Sequence, residues 1–382
     1  MKGKSITGKS PEGIQVALAQ SMADGFKPTL AIVFISIKQD RNAVLQILKT
    51  ADIDVMGATS CGEFTNDYQE QGSAVILLLD MKRDHYIILF EDIQNRNLED
   101  ASISLANKAL QKFKNPAFIV CSTGTSVKGE IFDGQVFVRS LEKVIGTNVK
   151  MYGGMAGDDY SFAGSFVFTK EQSSDKGIVA LIVDEDKIRV TGMAVSGWQP
   201  IGTVKTVTKS ENGWLYSIDD RPALDMYLKY LGKEKDDPNK FYAEVGLFYP
   251  FQVIDAADPV MRTPMSINKD DNALKLDFPI PEGTKLQFSM PPDFDIIENV
   301  LEKAAELKNK EQTDAEALLI FSCAGRLNAL GPMTKMENDG LSEIWKTPMV
   351  GFFTYGEYGT AHGKQEFHST TISWAALKEK NL

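Results

Sequence analysis

The sequence predicts an α/β protein built from two related, layered domains with mixed sheets, and an α+β arrangement in the C-terminal part. Up to residue 160, continuously apolar runs alternate with helical patterns, as in folds that layer helices on a sheet. From residue 161 onwards, short strands follow one another with little helix between them. We therefore place the domains at 1–160 and 161–382, packed together because a loop rather than a long linker joins them.

A repeated unit is the third observation behind this fold class. Ala317–Gly359 predicts a strand, a glycine-containing turn, a helix and a second strand that ends in Tyr-Gly-Glu. Ala31–Ser36, followed by Val55–Glu63, echoes this pattern and ends in Cys-Gly-Glu. The two domains are therefore expected to share a strand–helix–strand core.

The N-terminal elements follow from local signals. Ser10 and Pro11 are typical of a helix start, because proline fits the first helical position. Thr29–Ser36 is apolar throughout, which is typical of a strand covered on both faces. Further buried strands are predicted at Val55–Thr59, Ala117–Cys121 and Met151–Gly157, and a helix at Asp100–Phe113.

The C-terminal half begins with predicted strands at Phe166–Phe168, Gly177–Val183, Lys187–Ala194 and Gly202–Lys209, and acidic turn residues separate the second from the third. A long helix is predicted at Pro292–Lys308, since its apolar residues recur at helical spacing. The repeated unit Ala317–Gly359 follows, and His368–Leu377 is predicted to form a terminal strand.

Composition limits the function classes. The chain has 382 residues and a net charge of −11, which argues against binding to nucleic acid or anionic membranes, because both need a basic surface. Its three cysteines, Cys61, Cys121 and Cys323, are neither a disulfide framework nor a zinc spacing. No signal peptide and no apolar run of about 20 residues is present. We expect a cytoplasmic protein.

Several long pieces resemble one family in the right order. They are VMGATSCGEF (Val55–Phe64), YGGMAGDDYSF (Tyr152–Phe162), FSCAGRLNALG (Phe321–Gly331) and VGFFTYGEYG (Val350–Gly359). With these pieces the chain resembles the FIST proteins, bacterial sensory proteins with an N-terminal and a C-terminal FIST domain. One departure is Ser369, where the C-terminal family motif His-Asn-x-Thr commonly has asparagine.

The resemblance implies a cytoplasmic module that senses small molecules, amino acids among them, and not an enzyme. Members of the family are often found with histidine kinases or cyclic-di-GMP enzymes, so an output partner of either class would act in trans. One subgroup resembles a haem-binding nitric-oxide sensor. No cofactor is required on this reading, and haem is the alternative, with His368 or His362 as its ligand.

Candidate binding residues lie where predicted strands end, since ligands of layered α/β folds bind beyond the carboxyl ends of strands. Arg326 would hold a carboxylate, and Glu63 and Glu357 an ammonium, which together suit an amino acid. The alternatives are tight turns and a structural Arg–Glu pair. The full candidate set is Cys61, Gly62, Glu63, Gly153, Gly154, Asp158, Cys323, Arg326, Tyr355, Gly356 and Glu357.

Cys61 and Cys323 are the candidate nucleophiles of a third possibility, a cysteine-dependent enzyme. A reactive thiol needs a neighbouring base or a helix N-terminus to lower its pKa. No histidine is tied to either cysteine by sequence, and no metal-ligand cluster or acid–base dyad is visible. Both cysteines are therefore interpreted as buried packing residues, and no catalytic or metal site is predicted.

Overall fold

The computed structural model describes residues 1–233, 238–255, 258–290, 293–311, 314–361 and 363–380. Within these residues the chain forms three six-stranded mixed sheets and one eight-stranded antiparallel sheet. The predicted α/β class with mixed sheets is confirmed. The predicted strand–helix–strand echo is present, and it occurs three times rather than twice.

The first repeat fills most of the first 80 residues. Ser10 caps its first helix by accepting a hydrogen bond from the Gly13 N–H, as the helix-start signal predicts. Its elements are β1 Gly3–Gly8, α1 Pro11–Met22, β2 Leu30–Ile35, α2 Arg41–Thr50, β3 Asp54–Thr59, β4 Glu63–Thr65, β5 Gln69–Glu70 and β6 Ala74–Leu79.

The second repeat has the same order of elements. Its two crossover helices again separate parallel strands, and a short hairpin again precedes the last strand. Its elements are β7 Tyr86–Asp92, α3 Leu98–Lys112, β8 Pro116–Ser122, α4 Gly134–Ile145, β9 Met151–Met155, β10 Val167–Thr169, β11 Ser173–Ser174 and β12 Gly177–Asp184.

The third repeat starts with β13, Ile188–Val195, and is then interrupted by an inserted subdomain. The insertion contains β14 Pro200–Glu211, β15 Trp214–Ile218, β16 Arg221–Pro222, α5 Ala223–Leu231, α6 Pro238–Phe241, a π-helical turn Tyr242–Gly246, β17 Phe251–Asp255, β18 Asp258–Arg262, β19 Pro264–Asn268, β20 Ala273–Leu276 and β21 Lys285–Ser289. The repeat resumes with α7 Phe294–Glu311, β22 Ala317–Cys323, α8 Ala324–Leu330, α9 Met333–Trp345, β23 Met349–Thr354, β24 Glu357–Ala361, β25 Lys364–His368 and β26 Ile372–Glu379.

Each repeat donates its hairpin to the sheet of another repeat. The β4–β5 hairpin of the first repeat pairs with β23 of the third, with Phe64 opposite Gly351. The β10–β11 hairpin of the second repeat pairs with β3 of the first. The β24–β25 hairpin of the third repeat pairs with β9 of the second, with Tyr358 opposite Gly153. The three exchanges close a cycle, so no repeat completes its own sheet.

A common core lies between the three sheets. Their inner faces share one cluster of fully buried side chains, to which Ile32, Ile119 and Leu319 belong. The outer faces are covered by helices, α1 and α2 on the first sheet, α3 and α4 on the second, and α7 and α9 on the third. This two-sided coverage explains why the central strands are apolar throughout.

The structure differs from two predictions made from the sequence. The predicted boundary at 160/161 falls inside the second repeat, between β9 and β10. The predicted terminal strand His368–Leu377 is two strands, because the chain turns at Thr370, whose φ is +54°. His368 therefore ends β25, and β26 starts at Ile372.

Among the helices of the described residues, none is both long enough and apolar enough to cross a membrane.

Candidate functional site

The third strands of the repeats, β3, β9 and β23, all end at one place, which we call the strand-end junction. The Cys61 N–H donates to the Phe353 carbonyl at 3.0 Å, and the Met155 N–H to the Gly356 carbonyl at 2.7 Å. The Asp159 N–H donates to the Ser60 carbonyl at 3.0 Å. The junction therefore ties all three repeats together by main-chain hydrogen bonds.

Several predicted site residues meet in the junction. The Tyr355 hydroxyl donates to the Asp158 carboxylate, and it also lies within hydrogen-bonding reach of the Cys61 thiol. Phe162 stacks on the Tyr355 ring, with centroids 5.0 Å apart. The three repeats thus contribute Cys61, Asp158 and Tyr355 to one cluster, as expected for strand ends of one layered fold.

Asp158 organises the loop that follows β9. Its carboxylate accepts hydrogen bonds from the N–H groups of Phe162, Ala163 and Gly164, at 3.1, 2.7 and 3.0 Å. Burial alone would raise the pKa of Asp158, but the Tyr355 hydroxyl and these N–H groups outweigh it and hold the pKa below its usual value. These hydrogen bonds hold the carboxylate within the loop that follows β9.

Three carboxylates occupy equivalent positions after the third strands, namely Glu63, Asp159 and Glu357. Ser60 donates to Glu63 and Thr354 donates to Glu357, each from three residues earlier. The second repeat has Ala156 in that place, and Oδ1 of Asp159 is buried without a partner among the described residues. Its other oxygen accepts from Ser36 at 2.6 Å.

Glu63 is fully buried, and its environment raises the pKa of its carboxyl group. Burial raises the pKa from 4.5 to about 7, against the opposing effect of hydrogen bonds from Ser60 and Ser73. The nearby charge of Asp159 raises it further. The carboxyl group thus holds a proton in the folded protein at pH values where the unfolded chain has lost it.

We expect this proton to make stability fall as pH rises. The stabilisation is complete below pH 4.5 and is lost by about pH 7, a change of about 3 kcal/mol for one group. Urea unfolding at pH 5 and pH 8 measures it, with Glu63→Gln as the comparison. Burial lowers the pKa of His368 to about 4. This histidine changes stability with pH equally in both proteins, so its effect cancels when the two are compared. Equal slopes for the two proteins would contradict the assignment.

The predicted glycines serve packing rather than access. A side chain at Gly153 would collide with the Val120 carbonyl on the neighbouring strand, and one at Gly356 would lie 2.4–2.6 Å from atoms of the Phe367 ring. A side chain at Gly154 would lie equally close to the Thr354 side chain. Gly62 has φ +139°, where other residues are strained. Their backbone approaches other strands, which accounts for glycine without a ligand.

The three cysteines are buried and free. Burial raises the pKa of Cys61 to about 12, and burial together with the Glu357 charge raises the pKa of Cys323 well above its usual value. Because the thiolate is the reactive form, neither cysteine is activated as a nucleophile. This agrees with their interpretation as packing residues.

Arg326 lies in a buried ion pair. Its Nε donates to Oε2 of Glu337 at 2.9 Å, and its Nη2 to Oε1 of the same carboxylate. Its Nη1 donates to the Ser196 carbonyl. Both side chains are 0% exposed, and the guanidinium lies over the Trp198 ring. Each nitrogen has a protein partner, so the structure favours the structural Arg–Glu pair, with Glu337 rather than Glu357 as the carboxylate.

A cavity of about 490 Å³ lies between α4, the β24–β25 hairpin and the inserted sheet, and we call it the α4 cavity. Both charged and apolar residues line it. The charged residues are Asp133, Arg139, Glu211, Arg262, Lys364 and Glu366, and the apolar ones include Val253, Val260, Phe278 and Ile280.

Arg262 is the distinctive residue of this cavity. Its side chain is 7% exposed and lies over the Phe278 ring, with 5.7 Å between the guanidinium carbon and the centroid. Nη1 donates to the Met261 carbonyl at 2.8 Å, whereas Nε is buried without a hydrogen-bond partner. Burial lowers the pKa of Arg262, against the opposing charge of Asp277, the carboxylate that acts on it most strongly, although no carboxylate of the described residues lies within 4 Å of its nitrogens. The only sequence signal was one charge inside the apolar run around Val260–Met265.

The residues around His368 do not fit a haem. Its ring is 3% exposed, and Nε2 lies 3.2 Å from the Gly359 carbonyl, so this nitrogen is already engaged. The adjoining cavity mixes lysine and glutamate side chains with apolar ones such as Trp198 and Leu307, so it is not a purely apolar slot. The other candidate ligand, His362, lies outside the described residues. No function is derived from haem.

Comparison with known families decides the identity. Residues 29–221 match the FIST N domain, and residues 223–360 match the FIST C domain. The chain belongs to the FIST family. The FIST domains are sensory domains of signal transduction, so this is a sensory protein. The two matches meet at residues 221–223, within the inserted subdomain. A search of curated proteins finds no match.

Proposed function

We propose that this FIST protein is a cytoplasmic, non-enzymatic sensor of an amino acid or a similar small zwitterion, bound in the α4 cavity. Arg262 carries the proposal. Its guanidinium is buried with Nε unpartnered, and Asp277 acts on it only from beyond 4 Å, so a charge removed from water is compensated in part. A ligand carboxylate would complete that compensation, and its planar shape suits the fork of an arginine.

Two carboxylates of the cavity lining offer partners for the opposite charge of the ligand. They are Asp133 and Glu366, and the charges of both raise the pKa of Arg262. Asp133 uses one oxygen to cap α4 by accepting from the Val136 N–H. These carboxylates would hold an ammonium, while Phe278 and Ile280 would contact the ligand's apolar part.

The cavity connects to the strand-end junction through one hairpin. Lys364 and Glu366 line the cavity from β25, and β24 of the same hairpin begins with Glu357 in the junction. Binding would therefore act on the contact between the second and third repeats. We propose that a separate output protein, a histidine kinase or a cyclic-di-GMP enzyme, detects this change.

A ligand screen that compares zwitterions with compounds of a single charge tests the proposal. Thermal unfolding is measured with each of the amino acids, and with propionate and ethylamine as matched compounds that carry one charge each. A ligand at a hundred times its Kd stabilises the folded protein by about 2.7 kcal/mol. We expect stabilisation by zwitterions and little by either single-charge compound.

Arg262→Gln should weaken the binding of the selected ligand roughly ten- to hundredfold, since it removes a charge-assisted hydrogen-bond pair. Arg221→Gln, an exposed arginine of the same inserted subdomain, is the matched control. Without ligand, Arg262→Gln should unfold no more easily than the wild type. Unchanged affinity in this variant would show that the ligand does not bind at Arg262.

A further inference from the structure

The second sheet ends in an unpaired strand, β7, and a groove of about 420 Å³ lies along it, which we call the β7 groove. We propose that this groove binds an extended peptide segment of another protein, apolar with acidic ends, which adds to β7 as a further strand. The β7 groove shares no lining residue with the α4 cavity, so the proposal does not depend on the ligand proposed there.

The backbone of β7 offers hydrogen-bonding groups that the sheet leaves free. The strand pairs with β12 over seven residues in one unbroken register. The Asp184 N–H donates to the His85 carbonyl at 2.9 Å, so odd-numbered residues bond to β12. The even-numbered Tyr86, Ile88 and Phe90 therefore direct their N–H and C=O groups away from it. Within the described ranges no other strand pairs with β7, and such an edge is a template for an added strand.

The first repeat closes the corresponding gap, whereas the second leaves it open. Ser5 of β1 and Ile88 of β7 occupy the same register position in their sheets. The Ser5 hydroxyl donates at 3.4 Å to Oδ1 of Asn66, which follows the hairpin strand β4. In the second repeat Lys170 follows the hairpin strand β10 and donates to Asp54 at 2.7 Å instead. Because Ile88 cannot make the contact of Ser5, the gap between β7 and the hairpin remains as the β7 groove.

Apolar side chains line the edge on both faces of the sheet. Ile88 and Phe90 pack against the common core, and Ile87 packs against the cluster beneath α3 and α4. All three line the groove and remain partly exposed. Residues 169–172, at the turn between β10 and β11, also line it. Because successive side chains of a strand point to opposite faces, an added strand would cover this apolar surface with both of its faces.

The charges of the β7 groove favour acidic residues in the bound segment. Its charged lining residues are Asp54, Arg83, Lys112, Lys170 and Glu171. The Asp54 carboxylate is paired with Lys170 at 2.7 Å, and the Glu171 carboxylate is paired with a lysine of α2. Lys112 forms no ion pair within the described ranges. The groove thus keeps uncompensated positive charge in a chain of net charge −11, and charge complementarity selects an acidic partner.

A second copy of this chain supplies these features less well. It would present its own β7, in which residues 86–90 are uncharged. The carboxylate of Glu91 is held by Arg96 and Lys108, and Asp92 is the last residue of the strand. The occupant that the groove fits is therefore an acidic segment of a different protein.

Fluorescence anisotropy with three labelled synthetic peptides and the full chain tests this surface. All three have a core of alternating valine and threonine. The first is flanked by aspartates and the second by lysines, and the third is the first with proline at every second core position. We expect the acidic peptide to bind about tenfold more tightly than the basic one, since the groove is cationic. The proline peptide should not bind, because it lacks N–H groups to pair with β7.

Three variants locate the binding. Ile88→Pro should weaken binding of the acidic peptide about tenfold or more, since it removes an outward N–H and no bond to β12. Ser5→Pro makes the same change on β1 and should leave binding unchanged. Lys112→Glu leaves the backbone of β7 as it is, and should weaken binding of the acidic peptide and strengthen that of the basic one. Circular dichroism shows whether each variant is folded.

Reduced binding in Ile88→Pro or Lys112→Glu, with full binding in Ser5→Pro, supports the proposal. No binding of the acidic peptide to the wild type, or the same loss in Ser5→Pro, overturns it. Sedimentation velocity without peptide gives the oligomeric state. A dimer that Ile88→Pro dissociates and Ser5→Pro does not would identify a second copy as the occupant, and would also overturn the proposal.

Discussion

We expect Glu337→Gln to lower the free energy of unfolding by about 3–5 kcal/mol, because it leaves the Arg326 guanidinium buried without its counter-charge. The same carboxylate holds Arg326 against the Ser196 carbonyl and the Trp198 ring, so its loss also loosens the segment that follows β13. Urea unfolding at pH 7, followed by far-ultraviolet circular dichroism, measures the change.

The same helix provides the matched control. Lys335 and Asp339 form an exposed ion pair one turn apart on α9. Asp339→Asn should therefore cost only about 0.3–0.5 kcal/mol. The double variant Arg326→Met/Glu337→Leu should be more stable than Glu337→Gln, since no buried charge remains. If Glu337→Gln and Asp339→Asn cost the same, Arg326 is not confined to a buried pair.

Gly153→Ala should destabilise the protein by about 3 kcal/mol, since overpacking forces the backbone to move. The new methyl group would collide with the Val120 carbonyl of the neighbouring parallel strand. Gly153 also pairs with Tyr358 of the exchanged hairpin, so a shift of β9 disturbs the contact with the third repeat as well. Chemical denaturation of the two proteins gives the difference.

Replacement of glycine by alanine should have the opposite effect on stability at Gly13. This residue lies in α1, and the nearest atoms to a methyl group there are 3.7 and 3.9 Å away. Gly13→Ala should therefore raise stability by about 0.5–1 kcal/mol, because alanine is the better helix former. A Gly153→Ala protein as stable as the wild type would mean that β8 and β9 can separate without cost.

The layered α/β class and the echo between Ala31–Glu63 and Ala317–Gly359 could be predicted because apolar runs and Gly-Glu pairs are local signals. The third copy was missed, since the second repeat has Gly157-Asp158-Asp159 where the others have Cys-Gly-Glu or Tyr-Gly-Glu. The hairpin exchange was beyond sequence reasoning. Strands such as β5 and β11 have two residues each and show no periodicity, and the choice of sheet depends on distant partners.

The candidate site was predicted in part. Cys61, Asp158 and Tyr355 do come together, because the equivalent strands β3, β9 and β23 of the three sheets end at one junction. The carboxylate that pairs with Arg326 could not be predicted, since Glu337 lies on a helix and carries no strand-end signal. Arg262 was overlooked because a single charge in an apolar run is not informative until its surroundings are known.

The cyclic exchange of hairpins also determines when the chain can reach its final form. During synthesis β3 emerges early, yet the edge it presents is covered only after Val167–Thr169 has left the ribosome. The β4–β5 hairpin must wait longer still, since its partner β23 lies almost 290 residues further along the chain. The nascent chain therefore carries open sheet edges until late in translation, when the third repeat gives its β24–β25 hairpin to the second sheet and its β23 edge to the hairpin of the first repeat.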